Sequence, residues 1–325
     1  MRKRRNRSNK LEAPPEVAVL GAAAVDWIAH VKELPPRDGI VFADHYRPFP
    51  GGSGGNTAEA VARLGHSVRF LGVLGDDEGG RLLLQAFIEA GVDTRCMRTE
   101  KGQKSAACFI AIDGQGERMI FCLGGVAIYE KAEEIAPSWL KGVRVLFIAD
   151  AHPEVAEAAI VSLDKNARVV FAPGGLMAEA GKEFLKPILN RTDVLILSQL
   201  EASKLTGESD AARACLVLTK LGPKVSMITL GEKGVLVCDN GRSTQVPGIA
   251  VSPVVDTTGA GDAFSAGVIA GILEGSNSEE AARLGCAIAA IKIQHLGART
   301  GLPNQKQVRA LLEGSPIDKN VEVTS

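Results

Sequence analysis

Five nearly continuous apolar runs recur between residues 143 and 239, and stretches with helical character separate them. The runs are VRVLFIAD, ARVVFAP, DVLILS, KVSMITL and GVLVCD. A strand that is buried on both faces lacks the alternation of a half-buried strand, so these runs favour a mostly parallel sheet flanked by helices. The segment 51–65 predicts a loop that enters a helix, and further helices are predicted at 79–90, 154–164, 178–189, 201–205, 261–274 and 278–293, with a last one from Pro303 to about Leu312. The pattern predicts a doubly wound α/β fold.

The chain before residue 143 has a different rhythm. Short apolar runs at 17–21 and 68–74 predict two further strands. Asp113 and Gly114 separate two apolar, alternating runs, which is a hairpin signal. Together with the alternation within 31–50, the hairpin at 105–123 predicts a small second layer of strands.

Length and composition limit the alternatives. The chain has 325 residues, of which 46% are hydrophobic and 23% charged, and this balance excludes disorder as a global description. Its 36 glycines follow no G-X-Y period, which excludes collagen, so we expect them at particular turns. We interpret residues 13–325 as a single α/β domain, because α/β folds reach ~250 residues as one unit.

The first ten residues, MRKRRNRSNK, carry six Lys or Arg and no acid, whereas the rest of the chain has 31 basic against 38 acidic residues. A basic arm can bind nucleic acid, but no basic face with interleaved aromatics occurs elsewhere. We therefore interpret residues 1–12 as a disordered basic tail and expect no nucleic-acid partner. The apolar run at 17–25 is interpreted as a buried strand rather than a signal peptide, because Glu12, Pro14 and Glu16 separate it from the basic residues.

Neither a membrane nor an oxidising compartment is expected. No uncharged apolar stretch approaches the ~18 residues that span a bilayer. The six cysteines, at positions 96, 108, 122, 215, 238 and 286, show no CxxC pattern and no tight ligand spacing. We interpret them as reduced thiols in a cytoplasmic protein.

The segment DTTGAGDAFSAG, at residues 256–267, is the strongest chemical signal in the sequence. Gly259, Ala260 and Gly261 are small residues at a predicted helix start, where backbone amides and the helix dipole can hold an anion. Asp262 would weaken an anion site, unless it takes a proton from a hydroxyl that attacks phosphorus. The alternative is an ordinary N-cap aspartate on a glycine-rich helix start.

A second glycine-rich segment, GGSGGN at residues 51–56, has four glycines in five positions. It permits positive φ angles and close approach of a ligand, and Asn56 offers both a donor and an acceptor. Asp26, at the end of the predicted first strand, would add a carboxylate for a pair of sugar hydroxyls; alternatively it is a solvated strand-end residue. The fragment TLGEKG at 229–234 closes another strand with a tight glycine turn, and is otherwise a plain β-turn.

Two common nucleotide-binding motifs are absent from the sequence. A Walker loop requires GxxxxGK[ST], and the nearest candidate, from Gly175 to Lys182, has one residue too many and continues with Glu183. No GxGxxG opens a helix after the first strand. The sequence therefore excludes a P-loop kinase and shows no evident dehydrogenase signature.

Together these motifs resemble those of the ribokinase-like (PfkB-type) carbohydrate kinases, over residues 16–312. GGSGGNTA followed by Gly65 and Gly75, then TLGEKG, then DTTGAGDAFSAGVI stand in the family's order. The resemblance implies a ribokinase-like fold whose β-sheet lid is formed by 31–50 and 105–123. It also implies ATP and Mg²⁺ as cofactors, a sugar or sugar-like substrate, and a homodimer that pairs through the lid.

The resemblance implies roles for individual residues. Asp262 is the expected catalytic base, and the expected anion hole comprises Gly259, Ala260 and Gly261. The expected substrate-binding residues are Asp26, Gly51, Gly52, Ser53 and Asn56. The expected nucleotide-binding residues are Thr229, Gly231, Gly234, Gly261 and Ser198, where an Asn is frequent. Glu201 is expected in a Mg²⁺ and phosphate network, or is a helix N-terminal acid; a K⁺ site would use Asp256, Thr258 and the region of Gly297.

Three positions that bear on the substrate and the cation depart from the family pattern. Ala24 stands where ribokinases commonly have Asn. Ala151, between Asp150 and His152, stands at the position of a ribose-binding Glu. Gly301 lies near the cation loop where a Ser is frequent. Ribose is therefore one candidate among several, and K⁺ activation is left open.

The resemblance implies an ATP-dependent kinase that transfers the γ-phosphoryl group to a primary hydroxyl of a sugar. One alternative is a nucleoside kinase of the same family, for which Trp27, Phe42 and Phe109 are the candidate aromatic platforms. Another is a catalytically silent sugar- or nucleotide-binding regulator, and the intact Asp262 with its glycine loop argues against it.

Overall fold

The computed structural model describes residues 13–115 and 117–314. Fourteen strands and ten α-helices, each numbered along the chain, occupy these two ranges. The strands are β1 (Val17–Leu20), β2 (Ala24–Val31), β3 (Ala43–Gly51), β4 (Val68–Leu71), β5 (Val73–Gly75), β6 (Arg98–Glu100), β7 (Ala107–Ile112), β8 (Arg118–Cys122), β9 (Val145–Ala149), β10 (Arg168–Ala172), β11 (Val194–Ser198), β12 (Val225–Thr229), β13 (Val235–Asp239) and β14 (Arg242–Val246). The helices are α1 (Ser53–Arg63), α2 (Glu78–Glu89), α3 (Pro153–Val161), α4 (Gly174–Ala180), α5 (Lys182–Leu189), α6 (Gln199–Thr206), α7 (Ala211–Leu218), α8 (Ala260–Glu274), α9 (Ser278–Lys292) and α10 (Gln305–Leu312). The expected basic tail, residues 1–12, lies outside the described residues.

Eight strands form the central sheet in the order β14-β13-β12-β11-β10-β9-β1-β4. The strands from β12 to β4 pair in parallel, whereas β13 and β14 are antiparallel to their neighbours. In β1, Val17 and Val19 belong to the hydrophobic core on one face, and Ala18 and Leu20 to the core on the other. Because successive side chains of a strand point to opposite faces, both faces of the sheet are covered. The predicted doubly wound, mostly parallel α/β fold is confirmed.

A separate four-stranded sheet has the order β3-β2-β7-β8. β2 pairs in parallel with β7 and antiparallel with β3, and β7 forms the predicted hairpin with β8. We call this sheet the lid sheet. It contains the predicted segments 31–50 and 105–123, but β2 also belongs to it. Asp26 therefore lies inside β2 and not at the end of β1 as predicted. The chain turns after β1, leaves the central sheet and continues as β2 in the lid sheet.

The remaining boundaries differ from the predictions mainly where glycine interrupts an apolar pattern. The run predicted as one strand at 68–74 is two strands, β4 and β5, with Gly72 between them. The helix predicted at 178–189 is two helices, α4 and α5, because Gly181 between them adopts a φ of 90°. α10 begins after the Asn304 N-cap rather than at Pro303. β6, α7 and β14 have no counterpart in the sequence prediction.

Cys215 in α7 and Cys238 in β13 form a disulfide, with their Cα atoms 6.0 Å apart. The prediction that all six cysteines are reduced thiols is therefore wrong for this pair. The two residues are 23 positions apart in sequence. Only the packing of α7 against the sheet brings the two buried sulfurs within bonding distance, so sequence spacing gave no signal. The free cysteines are Cys96, Cys108, Cys122 and Cys286.

α8 and α9 are the longest helices, with 15 residues each, and they pack against one another. Gly267 of α8 faces Gly285 of α9 so closely that a Cβ on Gly267 would lie 2.5 Å from the Cα of Gly285. The small residues thus let two helix backbones approach each other beside the central sheet. In the described part of the chain, no helix combines the length and apolar character needed to cross a membrane.

Candidate active site

The carboxyl ends of the parallel strands meet at one edge of the central sheet. Because β1 lies between β4 and β9, the chain leaves β1 on one side and later returns on its other side. In open α/β sheets, a ligand crevice forms where the strand order reverses in this way. Gly21 follows β1 and Asp150 follows β9 at this crevice.

α1 begins against the end of β1. The Gly55 N–H donates to the carbonyl oxygen of Ala22 over 3.0 Å. The N-cap Gly52 has a φ of 84°, and a Cβ on it would lie 2.7 Å from the Cα of Ala23. The helix starts at Ser53, so the second pair of glycines is helical rather than part of the predicted loop. The glycines bring this helix N-terminus close to the crevice.

Asp26 of β2 lies against the same segment. A Cβ on Gly51 would collide with the Asp26 carboxylate, so glycine is needed there. The residue is 7% exposed, which contradicts the alternative of a solvated strand-end residue. Burial raises the pKa of Asp26 to about 6; Arg299 opposes this, and the carboxylates of Asp262 and Asp256 add to it.

α8 begins beside α1 and carries the predicted anion site. Gly259 is its N-cap with a φ of 77°, and a Cβ there would lie 2.8 Å from the carbonyl oxygen of Ala298. Ala260 and Gly261 are the first two residues of the helix. The Ala260 N–H donates to the carbonyl oxygen of Thr257 over 3.1 Å, whereas the Gly261 N–H has no partner within the helix. A Cβ on Gly261 would meet no atom within 4 Å. Open space therefore lies in front of a helix N-terminus, which suits an anion.

Asp262 is the third residue of α8, so the alternative of an N-cap aspartate is wrong. Its Oδ2 accepts a 2.7 Å hydrogen bond from Nδ2 of Asn56, which joins α8 to α1. Burial raises the pKa of Asp262 to about 6, and the hydrogen bond from Asn56 lowers it. Arg299 also lowers this pKa, whereas Glu201 raises it. Asp262 is thus an oriented carboxylate beside an anion site, the arrangement of a general base.

Arg299 completes this cluster and was not predicted. It is 5% exposed, and its Nε donates to Oδ1 of Asn56 over 2.9 Å. Its Nη2 donates to the Gly51 carbonyl over 2.7 Å, and its Nη1 lies 3.4 Å from Oε2 of the buried Glu59. Arg299 thereby fixes the amide of Asn56 with its Nδ2 towards Asp262. Nothing local in the sequence pairs residues 240 positions apart, so sequence reasoning had no signal for it.

Asp150 is the acidic residue that the structure places at the crevice beside Ala151. Its φ of 49° is rare for a non-glycine residue, and such strain clusters at functional sites. Burial raises the pKa of Asp150 to about 7; Asp262 and Glu201 add to this, and a hydrogen bond with Ser53 opposes it. Asp150 and His152 also line a cavity of about 250 Å³ at this edge. Ala151, the next residue, is the expected position of the ribose-binding Glu.

The residues expected to bind nucleotide lie at the ends of β11 and β12. Ser198 and Thr229 are directly paired in register. Ser198 caps α6 in a capping box, in which Oε2 of Glu201 accepts the Ser198 N–H over 2.8 Å. Gly231 has a φ of 61° and Gly234 a φ of 91°. Glu201 thus lies in the first turn of α6 with one carboxylate oxygen used in the cap, and its role towards Mg²⁺ stays a prediction. A tight glycine turn follows β12 as predicted.

The residues of the expected K⁺ site lie together but use their polar atoms on one another. The Asp256 carboxylate accepts the N–H groups of Thr258 and Gly297, each over 2.8 Å. The Asp256 carbonyl accepts a hydrogen bond from the buried ammonium group of Lys292. A side chain at Gly301 would collide with the ring of His295. The Asp256 carbonyl already has Lys292 as its cationic donor, and the Thr258 hydroxyl has Arg118, so this site does not fit K⁺.

For Mg²⁺ the donor set is sparse but compatible. No group of three or more His, Cys, Asp or Glu side chains that could hold a metal occurs in ranges 13–115 and 117–314. Mg²⁺ is commonly held by one or two carboxylates together with substrate phosphates and water. Asp262 and Glu201 both raise the pKa of Asp150, and Glu201 also raises the pKa of Asp262. A cation among them would relieve this repulsion, so the residues fit Mg²⁺.

The lid sheet presents two different faces. Asp26, Cys108 and Cys122 are paired across β2, β7 and β8, and therefore share one face. Arg118 of β8 donates to Oγ1 of Thr258 over 2.9 Å, which joins this sheet to the loop before α8. The next row, Trp27, Phe109 and Phe121, lies on the opposite face. These three aromatic residues thus point away from Asp26, whereas Phe49 of β3 is paired with Asp26 and shares its face.

Comparison with known proteins gives a consistent result. The family described as pfkB family carbohydrate kinase matches residues 14–305. The ribokinase of Haemophilus influenzae is 29% identical over 311 residues, covering 91% of this chain and 98% of the relative. Fructokinase-2 of Solanum lycopersicum is also 29% identical, over 330 residues, covering 92% and 99%. The structure of Arabidopsis thaliana ribokinase with ribose and ATP superposes with a TM-score of 0.81 at 26% identity, covering 92% of this chain and 99% of that one.

Proposed function

The chain belongs to the pfkB family of carbohydrate kinases, and from that membership we propose that it transfers the γ-phosphoryl group of ATP to a primary hydroxyl of a sugar. The observation that carries the proposal is the bond between Asn56 and Asp262. It holds a carboxylate at the N-terminus of α8, directly beside the open space at Gly261. A base and an anion site in contact are what transfer of a phosphoryl group to a hydroxyl requires.

In this proposal each side chain has a distinct task. Asp26 and Asn56 hydrogen-bond the sugar, and Asp262 accepts the proton of the attacking hydroxyl. The N–H groups at Gly259, Ala260 and Gly261 stabilise the negative charge that develops on the transferred group, and the Ala260 N–H leaves the Thr257 carbonyl to do so. Phosphoryl transfer has a loose transition state and needs positioning more than a strong base. A carboxylate with a pKa of about 6, mostly ionised at neutral pH, is therefore sufficient.

The nucleotide and the metal belong to the same proposal. Ser198, Thr229, Gly231 and Gly234 would hold ATP at the ends of β11 and β12. Mg²⁺, when bound, neutralises charge on the phosphates, and Asp150 and Glu201 are the residues that would hold it through water or directly.

For the acceptor we propose a ribose- or fructose-like sugar, because relatives named ribokinase and fructokinase match over most of the chain. Ala24 and Ala151 offer no polar side chain to the sugar, so the panel of test sugars includes pentoses, hexoses and keto-acid sugars. The nucleoside alternative loses support, since Trp27 and Phe109 lie on the lid face opposite Asp26. Phe42 is 90% exposed and offers no enclosed platform.

The proposal extends to assembly and location. Tyr46, Phe109, Met119 and Phe121 form an exposed apolar row on the lid face opposite Asp26. A second copy of this chain would cover this face and produce a symmetric dimer.

A cytoplasmic location is part of the proposal and rests on the four free cysteines. The disulfide between Cys215 and Cys238 counts against it.

The test is ADP release with Mg²⁺, ATP and the sugar panel. We expect turnover on at least one sugar, and Asp262→Asn should lower kcat by ~10²-fold or more because one positioned base is lost. Asp164→Asn is the matched control, because Asp164 is exposed and precedes β10 at the other edge of the sheet. Absence of turnover on every sugar would favour the regulator. Near wild-type turnover by Asp262→Asn would refute the assigned base.

A further inference from the structure

Lys292 is a fully buried lysine at the end of α9. Its side chain has 0% exposure. Its Nζ donates to the Asp256 carbonyl over 2.8 Å and reaches the His295 carbonyl at 3.4 Å. An ammonium ion taken out of water costs several kcal/mol unless nearby groups compensate for the lost hydration. A methionine or leucine would fill this space more cheaply, so packing alone does not explain the lysine.

The two carbonyls belong to two segments that flank the anion site. One runs from Asp256 to Gly259, and the other runs from His295 to Ala298, against which Gly259 packs. Asp256 lies three residues before Gly259, the N-cap of α8. The Asp256 carboxylate also bonds the N–H groups of Thr258 and Gly297, which ties the two segments together. The ammonium group therefore holds both segments from within, just behind the start of α8.

The charge on Lys292 acts in the same direction. Burial lowers the pKa of Lys292 to about 8; Asp256 and Asp262 raise it, and Arg118 lowers it. With such a pKa the side chain remains mostly protonated at pH 7. It also lowers the pKa values of Asp256 and Asp262. A single positive charge thus stands where K⁺ was expected from the sequence.

We propose that the ammonium group of Lys292 is a built-in monovalent cation, which positions the 256–259 segment for phosphoryl transfer and makes this enzyme independent of K⁺. Lys292 is a positioning residue, since it bonds the backbone before α8 and not the reacting atoms. The inference deepens the proposed kinase function and rests on it. It replaces the K⁺ site expected at Asp256, Thr258 and Gly297.

The first test uses the wild-type protein. ADP release with ribose and fructose is measured in tetramethylammonium buffer free of K⁺, Na⁺ and NH₄⁺, and then with increasing KCl at constant ionic strength. We expect full activity without K⁺ and no saturable activation. Several-fold activation by KCl would overturn the proposal.

The second test uses two variants that differ in the space they leave. Lys292→Ala removes charge and stem, so K⁺ or methylammonium can enter beside the Asp256 carbonyl. Lys292→Met removes the charge but keeps the stem. Both should lose activity on the order of 10- to 100-fold in cation-free buffer, because the anion site loses its alignment. KCl or methylammonium should restore only the alanine variant, and the exposed Lys165→Met should behave as wild type.

A readout without turnover separates this inference from the kinase proposal. The melting temperature of Lys292→Ala should be higher in KCl than in tetramethylammonium chloride, and the difference should saturate as the salt concentration rises. The melting temperature of wild type should be the same in the two salts. If wild type turns over no sugar, the function fails but this comparison still decides the cation. If both variants respond equally to the two salts, Lys292 is merely structural and the proposal is wrong. If the alanine variant does not fold, the response of wild type to KCl decides alone.

Discussion

At the scale of single residues, the site concentrates carboxylates that burial disfavours. Burial raises the pKa values of Asp26 and Asp262 to about 6 and that of Asp150 to about 7, from an ordinary value of 3.8. Each group therefore binds protons more tightly in the folded chain than in the unfolded one. Its ionisation at neutral pH destabilises the fold, which is a common cost of a functional site.

Asp262→Asn should accordingly stabilise the ligand-free protein. The stability that protonated Asp262 contributes is present below pH 3.8 and lost as pH rises through about 6. The neutral variant should therefore melt higher at pH 8, by ~2–4 °C per kcal/mol gained, and show little difference near pH 4. Melting curves of both proteins over this range test the claim. The claim would be contradicted if the melting temperature of the variant, minus that of wild type, were lower at pH 8 than at pH 4.

Arg299→Met should destabilise the protein by about 3–5 kcal/mol. The change leaves Glu59 with Arg63 as its remaining arginine partner, and it removes the donors that Arg299 supplies to Asn56 and to the Gly51 carbonyl. Breaking a buried ion pair and leaving buried acceptors without donors are both costly. The double variant with Glu59→Gln should recover part of the loss. Urea unfolding of the two single variants and the double variant measures the coupling. Additive losses in the double variant would show that the pair does not act as a unit.

At the scale of elements, glycine decides how closely helices approach one another and the sheet. Gly52 lets α1 meet the end of β1, and Gly259 lets α8 start against Ala298. The two helix N-termini converge because neither has a Cβ at its cap. The contact between α8 and α9, at Gly267 and Gly285, keeps α8 in this position from the other side.

Gly267→Ala should therefore destabilise the fold by ~1–3 kcal/mol, since a methyl group would overlap the backbone of α9. Gly175→Ala in α4 is the matched control, because a Cβ there meets no atom within 4 Å and alanine favours a helix. We expect the control to be neutral or slightly stabilised. Thermal unfolding compares the two, and equal behaviour would refute the close helix contact.

At the scale of the whole molecule, helices beside the central sheet carry the proposed base and anion site, and the lid sheet carries Asp26. The contact between Arg118 and Thr258 links the two sheets at the phosphoryl site. The opposite face of the lid sheet exposes Tyr46 by 68% and Phe121 by 49%. Exposed apolar side chains in register on one face suggest that this sheet is shared between two copies.

Phe121→Glu should shift the protein from dimer to monomer, because a charge would be buried in the proposed interface. Leu216→Glu is the control, since Leu216 in α7 is 61% exposed and lies outside the lid sheet. Light scattering coupled to size-exclusion chromatography measures the mass of each variant. A wild-type monomer, or a dimer unaffected by Phe121→Glu, would contradict the proposed interface.

Much of this protein follows from local pattern. Continuous apolar runs predict the parallel strands, and the Asp113–Gly114 turn predicts the hairpin of the lid sheet. The two glycine segments predict both helix N-termini, and Asp262 stands out because a carboxylate is unexpected at an anion site. These features depend on residues that are close in sequence, so the sequence alone determines them.

The rest depends on contacts between distant segments. Pairing of Arg299 with Glu59 and Asn56, the disulfide of Cys215 with Cys238, and the strained Asp150 arise only when separate elements pack together. The sequence by itself determined the fold class and the chemistry of the base and the anion loop. Only the tertiary structure decided that a buried lysine stands at the expected K⁺ position, because a cation site is defined by where carbonyl oxygens converge in space.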